Sequence, residues 1–214
     1  MAERRLSPLD QLIGRADDLL RSFTDPAPDS ERASPAADHP EAELDAAERR
    51  HAAGLMRVNH TGEVCAQALY RGQALTAELP DVREQMEHAA QEEVDHLAWC
   101  EERLAELDSH TSVLNPLWYS ASFLLGAAAG IAGDRWSLGF VAATEEQVCE
   151  HLESHLERLP ESDERSRQVL EQMLADERRH GEQALDAGGE DFPPAVKRMM
   201  TAVSRLMTES TYRI

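Results

Sequence analysis

Four glutamates stand where a helix would bury its apolar face, and no other feature of this chain restricts its fold as much. Residues three and four apart share one side of a helix. On that spacing Glu63 keeps company with Met56, Ala66 and Tyr70, and Glu93 with Met86, Ala89, Ala90, Leu97, Cys100 and Leu104. Glu145 falls among Leu138, Val141, Ala142, Val148, Cys149 and Leu152, and Glu177 among Leu170, Met173, Leu174, Gly181 and Ala184. An ionised carboxylate in a core costs several kcal/mol even after relaxation, and four that converge also repel one another. Such a fold needs cations to neutralise the carboxylates, or protons bound to them.

Two histidines favour cations. Glu93 is followed three residues on by His96, and Glu177 by His180, so each pair points the same way from its helix. The order Glu63 then Glu93-x-x-His96 repeats as Glu145 then Glu177-x-x-His180, a duplicated helix pair. With 26 Glu and 9 His, chance alone gives about one Glu-x-x-His, and the chain has three. The third, Glu48 with His51, lacks an apolar stripe around its Glu and is assigned to chance. One Glu from each of two helices and Glu-x-x-His from each of the other two is the ligand set of ferritin-like dimetal bundles. Glu63, Glu93, His96, Glu145, Glu177 and His180 are therefore the expected metal ligands. Four oxygen and two nitrogen donors without sulfur suit iron or manganese over structural zinc, and carboxylate bridges with few histidines favour two iron ions per chain. The alternative is four glutamates paired with arginine or turned to solvent.

The pattern predicts an all-α chain whose four long helical stretches lie at about 44–78, 81–107, 134–159 and 163–187. Pro80 and Pro160 fall at the breaks and Gly188-Gly189 follows the last. Short turns within each pair make antiparallel neighbours. One long crossover, 108–133, joins the second stretch to the third, and a short helix from Pro193 to about Met207 closes the chain. Ahead of them, residues 6–23 have helical apolar spacing, and 24–43 are rich in Pro, Ala and acid, which reads as a flexible linker. The expected division is an appendage over 1–43 and a bundle over 44–214. Since no predicted ligand precedes Glu63, removal of residues 1–40 should leave metal binding intact.

The crossover holds no Asp, Glu, Lys or Arg from Ser109 to Gly133. Its 25 residues could span a bilayer, form buried core, or make an apolar surface that dips into a membrane or guides a greasy ligand. Acidic flanks at Asp108 and Asp134 disfavour a span. Trp118, Tyr119 and Phe123 read as an interfacial anchor or as core.

Lys and Arg total 21 against 41 Asp and Glu, a formal charge of -20. That excludes a nucleic-acid partner and predicts that any membrane contact is chiefly hydrophobic. Three separated cysteines, with no Cys-x-x-Cys, exclude a thiolate zinc site and predict small buried residues in a reducing compartment. The N-terminal sequence lacks the apolar core of a secretory leader.

Arg57-Val58-Asn59-His60-Thr61-Gly62-Glu63, with Tyr70, Gly72 and Gln73, resembles the first-helix signature of the demethoxyubiquinone hydroxylases. Leu125-Gly126-Ala127, Thr144-Glu145-Glu146 with His151, and Asp176-Glu177-x-x-His180 resemble later parts of that family, and together they cover about 50–214. The resemblance implies a di-iron monooxygenase that uses O₂ to hydroxylate a demethoxylated polyprenyl benzoquinol in ubiquinone biosynthesis. It implies a peripheral protein on the cytoplasmic side of a bacterial inner membrane, reaching the bilayer through Trp118–Leu125. It also makes His151 a proton relay or a hydrogen-bond partner near the metals, where the residues alone allow a surface histidine. Tyr70 is a candidate donor to a ligand or a core tyrosine, and His60 is a neighbour of the site or a partly solvated group. An exposed apolar face would favour self-association or an assembly of ubiquinone-synthesis proteins. Rival readings are another ferritin-like protein, reducing peroxide or oxidising iron, and a metal-free helical scaffold at a membrane.

Overall fold

A computed structural model describes residues 30–214, so the expected helix over 6–23 lies outside the described residues. Those described fold as an all-α bundle with no strand among them. Helix α1 spans Ala46–Thr76, α2 Pro80–Glu106, α3 Asn115–Ile131, α4 Asp134–Arg158, α5 Glu164–Asp186 and α6 Pro194–Thr211. The four long helices, α1, α2, α4 and α5, follow the sequence pattern within about two residues at each end.

Their ends have local causes. Asp45 caps α1: its carboxylate accepts from Ala47 N and Glu48 N while Glu48 accepts from the Asp45 N–H, a reciprocal capping box. Pro80 opens α2 at a position where a missing N–H costs nothing. The buried Asp163 carboxylate caps α5 by accepting from Ser166 N and also pairs with Arg103 at 2.8 Å. Glu48 and His51 thus have structural roles, since the His51 ring meets Tyr212 Oη and Arg158 O, in keeping with chance spacing.

The charge-free crossover is itself a helix. Inside it, α3 lies along α1 at unusually close range, because Gly126 faces Leu69 backbone and Gly72 faces the backbone of Phe123 and Ala127. A Cβ at either glycine would strike backbone. Gly133, at φ 109°, turns the chain directly from α3 into α4, a conformation that other residues adopt only with strain. The outer side of α3 exposes Leu117, Leu124, Leu125 and Ile131. Of the three aromatic residues read as an anchor or as core, Tyr119 is core, buried on the α1 side, while Trp118 and Phe123 are half-buried. Among the described residues no helix is long and apolar enough to cross a membrane.

The bundle interior divides into two apolar clusters. Leu55, Met56, Trp99, Cys100, Leu104, Leu152, Leu170 and Met173 fill one end. Tyr70, Ala74, Val82, Met86, Leu138, Val141 and Ala184 fill the other. The polar groups described next fall between them in sequence on all four helices.

One stretch differs from the expectation. Residues 30–43, placed within a linker, pack on the bundle: Ala36 is buried among the core side chains and Glu41 pairs with the buried Arg103 at 2.6 Å. Ion pairing and a few small apolar contacts hold a segment whose composition alone offers little to bury.

Candidate metal centre

Each long helix delivers its share of the expected ligands to one buried cluster: α1 Glu63, α2 Glu93 and His96, α4 Glu145, α5 Glu177 and His180. All six are at most 4 % exposed. His96 Nδ1 lies 3.3 Å from Glu63 Oε2, 3.2 Å from Glu93 Oε2 and 3.0 Å from Glu177 Oε1. His180 Nδ1 lies 3.3 Å from Glu177 Oε2 and 3.6 Å from Glu93 Oε1. Donor atoms from Glu63, Glu93, His96 and Glu177 all fall within 4.8 Å of one another, a spacing that one ion can bridge. Glu145 completes the ring by contact with Glu177.

The electrostatics are those of a crowded, buried cluster of carboxylates and imidazoles. Burial, then the charges of Glu177 and Glu63, push the Glu93 carboxyl well above the usual range. Burial and Glu177 do the same to Glu145. Burial alone would lower both histidines, but Glu177 and Glu92 carry His180 up to about 11, and Asp176, Glu177, Glu63 and Glu93 raise His96 strongly. Glu177, against the effect of burial, is held low by His180 and His96. These shifts together offset part of the repulsion among the buried carboxylates. Even so, the buried Glu93 Oε1 and Glu145 Oε2 have no hydrogen-bond partner. Four carboxylates balance the charge of two divalent ions, so the residues fit a dimetal group.

Both histidines turn Nδ1 inward and anchor Nε2 on an outer carboxylate. His96 Nε2 lies 3.0 Å from Asp176 Oδ2, and His180 Nε2 lies 2.9 Å from Glu92 Oε2. Were Nδ1 to hold a metal, each Nε2–H would donate to that carboxylate, which would fix the tautomer and the ring direction. Asp176 accepts in turn from Arg32 Nη1 at 2.7 Å and Arg179 Nη1 at 2.9 Å. Arg32 also donates through Nε to Asp95 Oδ2 and lies over the Trp99 ring, 4.7 Å from its centroid. Asp95 Oδ1 further accepts from Ser30 Oγ and Glu31 N. The segment before α1 therefore reaches to within two side chains of a ligand.

Tyr70 donates its hydroxyl to Glu145 Oε1. Burial and the surrounding carboxylates raise its pKa well above the usual value, so it stays a donor. His60 meets Glu101 at 3.1 Å and Asn115 at 3.3 Å, linking α1 to α2 and to the start of α3. His151 is placed differently from its expectation. Its ring stacks on His155, centroids 6.4 Å apart, and has no hydrogen bond to the glutamates among the described residues. His155 is the buried member of that pair, with Nδ1 2.7 Å from Asn59 Oδ1. Six residues from Glu145, His151 lies well around the helix from the ligand face.

Sequence reading did not single out Glu92, Asp95, Asp176 as a support, or Arg32. A signal existed for two of them, since Glu92 and Asp176 each stand one residue before a ligand glutamate. Arg32 had none, because its partners are 63 and 144 positions away. A cavity of about 180 Å³ opens beside the centre, lined by Tyr70, Met86, Glu92, Val141, Arg179 and His180 among others.

A family model described as ubiquinone biosynthesis protein COQ7 matches residues 50–211. The chain is 60 % identical over 212 residues to a 3-demethoxyubiquinol 3-hydroxylase of Pseudomonas syringae, with 99 % of each protein covered. It is 61 % identical over 213 residues to one of Ectopseudomonas mendocina, covering 100 % of this chain and 99 % of the relative. A third, from Pseudomonas putida GB-1, is 59 % identical over 212 residues, again across 99 % of both.

Proposed function

Since the chain belongs to the COQ7 family of ubiquinone biosynthesis proteins, we propose that it is a 3-demethoxyubiquinol 3-hydroxylase that adds a ring hydroxyl late in ubiquinone synthesis. The observation that carries this reading is the convergence of four buried glutamates and two Nδ1 nitrogens on one point, in a chain of that family. Two iron ions held by Glu63, Glu93, His96, Glu145, Glu177 and His180 would supply the two electrons that activate O₂, with one oxygen atom entering the ring and the other leaving as water.

The protein's own residues do the rest. The four carboxylates would hold the ions and neutralise their charge. Asp176 and Glu92 hold the two imidazoles at a fixed angle. The protonated Tyr70 steers Glu145 by occupying one of its oxygens. The two apolar clusters exclude water from both ends of the site. The cavity beside Tyr70 and His180 has the volume of several waters and offers small species a route inward.

The substrate's polyprenyl tail stays in the bilayer, because moving it to water costs about 0.8 kcal/mol per CH₂. The enzyme thus goes to the membrane, and the exposed Leu117, Leu124, Leu125 and Ile131 of α3 supply the apolar contact. We place it as a peripheral protein on the cytoplasmic side of a bacterial inner membrane.

Quinone profiling of a strain lacking the gene tests the reading. The demethoxylated precursor should accumulate and disappear when the chain is restored, but persist with Glu177→Ala. Iron analysis of the purified chain should give about two ions. Full complementation by Glu177→Ala, or a chain that takes up no iron, would refute the assignment.

A further inference from the structure

Helix α6 has a face that the bundle leaves unused. It rests on α1 and α4, with Val196, Met200, Ser204 and Met207 half-buried and Tyr212 packed on Gly54. Its other side exposes Met199 at 64 %, Val203 at 52 % and Leu206 at 64 %, spaced three and four apart as one apolar stripe, with Ala195 and Ala202 beside them. Arg198 and Arg205, two turns apart and exposed, flank it on one side. Lys197 is committed to Glu146 and Asp191, whereas Arg198 and Arg205 have no ion pair among the described residues. From residue 194 to 213 the chain has four basic side chains and one acidic, Glu209, in a protein whose formal charge is -20.

We propose that α6 docks on an anionic bilayer surface, its apolar stripe entering the acyl boundary and Arg198 and Arg205 meeting lipid phosphates. This rests on the membrane reading above and adds a second, charge-dependent contact to the uncharged one made by α3. Charge identifies the occupant. Two copies of a chain at -20 repel, which disfavours self-docking, while local positive charge beside exposed apolar groups matches anionic headgroups over lipid tails. Position agrees, because α3 also packs on α1 and α4, so both helices with exposed apolar faces rest on the same helix pair.

Co-sedimentation of the full chain with vesicles tests this, using phosphatidylcholine alone and phosphatidylcholine mixed with phosphatidylglycerol. The mixed vesicles should bind the chain more tightly, and Arg198→Gln with Arg205→Gln should cut that binding about thirty-fold, roughly five-fold per arginine, with little change on neutral vesicles. High salt should produce a similar loss in the unaltered chain and little further loss in the double variant. Val203→Asp with Leu206→Asp should weaken binding to the mixed vesicles too, with an unchanged circular dichroism spectrum and iron content as the check on folding. Leu124→Asp with Leu125→Asp, on α3, should reduce binding to both vesicle types. Undiminished binding of the arginine variant to the mixed vesicles would overturn the role of α6 while leaving α3 attachment in place. Binding to neither vesicle by the unaltered chain would overturn both. A smaller oligomer on altering the α6 stripe, with unchanged vesicle binding, would assign the face to contacts between copies and refute the proposal.

Discussion

Glu92 and Asp176 hold equivalent places in the two helix pairs: each stands one residue before a buried glutamate of the central cluster and grips Nε2 of the histidine on the opposite helix. The helix that carries one Glu-x-x-His therefore orients the imidazole of the other, and α2 and α5 are coupled across the centre in both directions.

Removing either grip should loosen metal more than it disturbs the fold. Asp176→Asn and Glu92→Gln keep shape and lose charge, and iron affinity should fall about 10- to 100-fold in each, the usual effect of losing a histidine's outer partner. Iron titration under anaerobic conditions measures it. Unchanged affinity in both variants would mean the imidazoles are held by packing alone.

Arg32 gives a second test. It binds Asp176 and Asp95 at once from outside the bundle, so Arg32→Ala should cost about 1–2 kcal/mol in stability, less than a fully buried pair because the side chain is about a third exposed. It should also weaken iron binding through His96. Deleting residues 1–40 removes the same contact and should do likewise, contrary to the expectation from ligand positions alone. Iron content and melting temperature of the two variants decide between these outcomes.

Metal should raise stability. Ligand free energy at a hundred-fold excess over Kd adds about 2.7 kcal/mol, which for a chain of this size moves the melting temperature by roughly 5–10 °C. Glu93→Ala and Glu177→Ala should lose most iron and with it the shift. Calorimetric scans before and after chelation report it, and equal midpoints would show that the carboxylates are neutralised in some other way.

His155 makes stability depend on pH. Burial, aided by the nearby Arg158 charge, depresses its pKa to about 3. Above about pH 6.5 the folded and unfolded chains both hold it neutral. Below that, the unfolded chain takes a proton that the folded one refuses, so stability falls as pH drops from about 6.5 toward 3, by up to about 1.4 kcal/mol per unit. His155→Gln should flatten that slope in denaturant titrations run at several pH values. A slope identical to that of the unaltered chain would show that the His155 proton does not contribute.

The long helices and all six proposed ligands were legible because burial is periodic: an acidic residue out of place on an apolar stripe is visible from spacing alone. Asp176 and Glu92 were half-legible, adjacent to ligands but chosen by which helix lies opposite, which spacing does not encode. Arg32 was not legible, since its role depends on a contact across 144 positions and on a segment without the composition of a packed one. Helix α3 was read as an uncharged crossover that could be a span, buried core or apolar surface, because its composition does not say what it packs against. Its shape comes from backbone pressed against backbone at Gly72 and Gly126. His151 misled for the converse reason, as a motif position whose ring ends up against His155.

Those glycines separate two kinds of constraint on one helix. The inner face of α3 cannot gain even a methyl group at Gly126 without displacing α1, whereas its outer face carries the exposed Leu117, Leu124, Leu125 and Ile131. Inner and outer residues can then diverge at different rates. A lineage could retune the outer leucines to whatever surface they meet while the four-helix scaffold beneath kept its register.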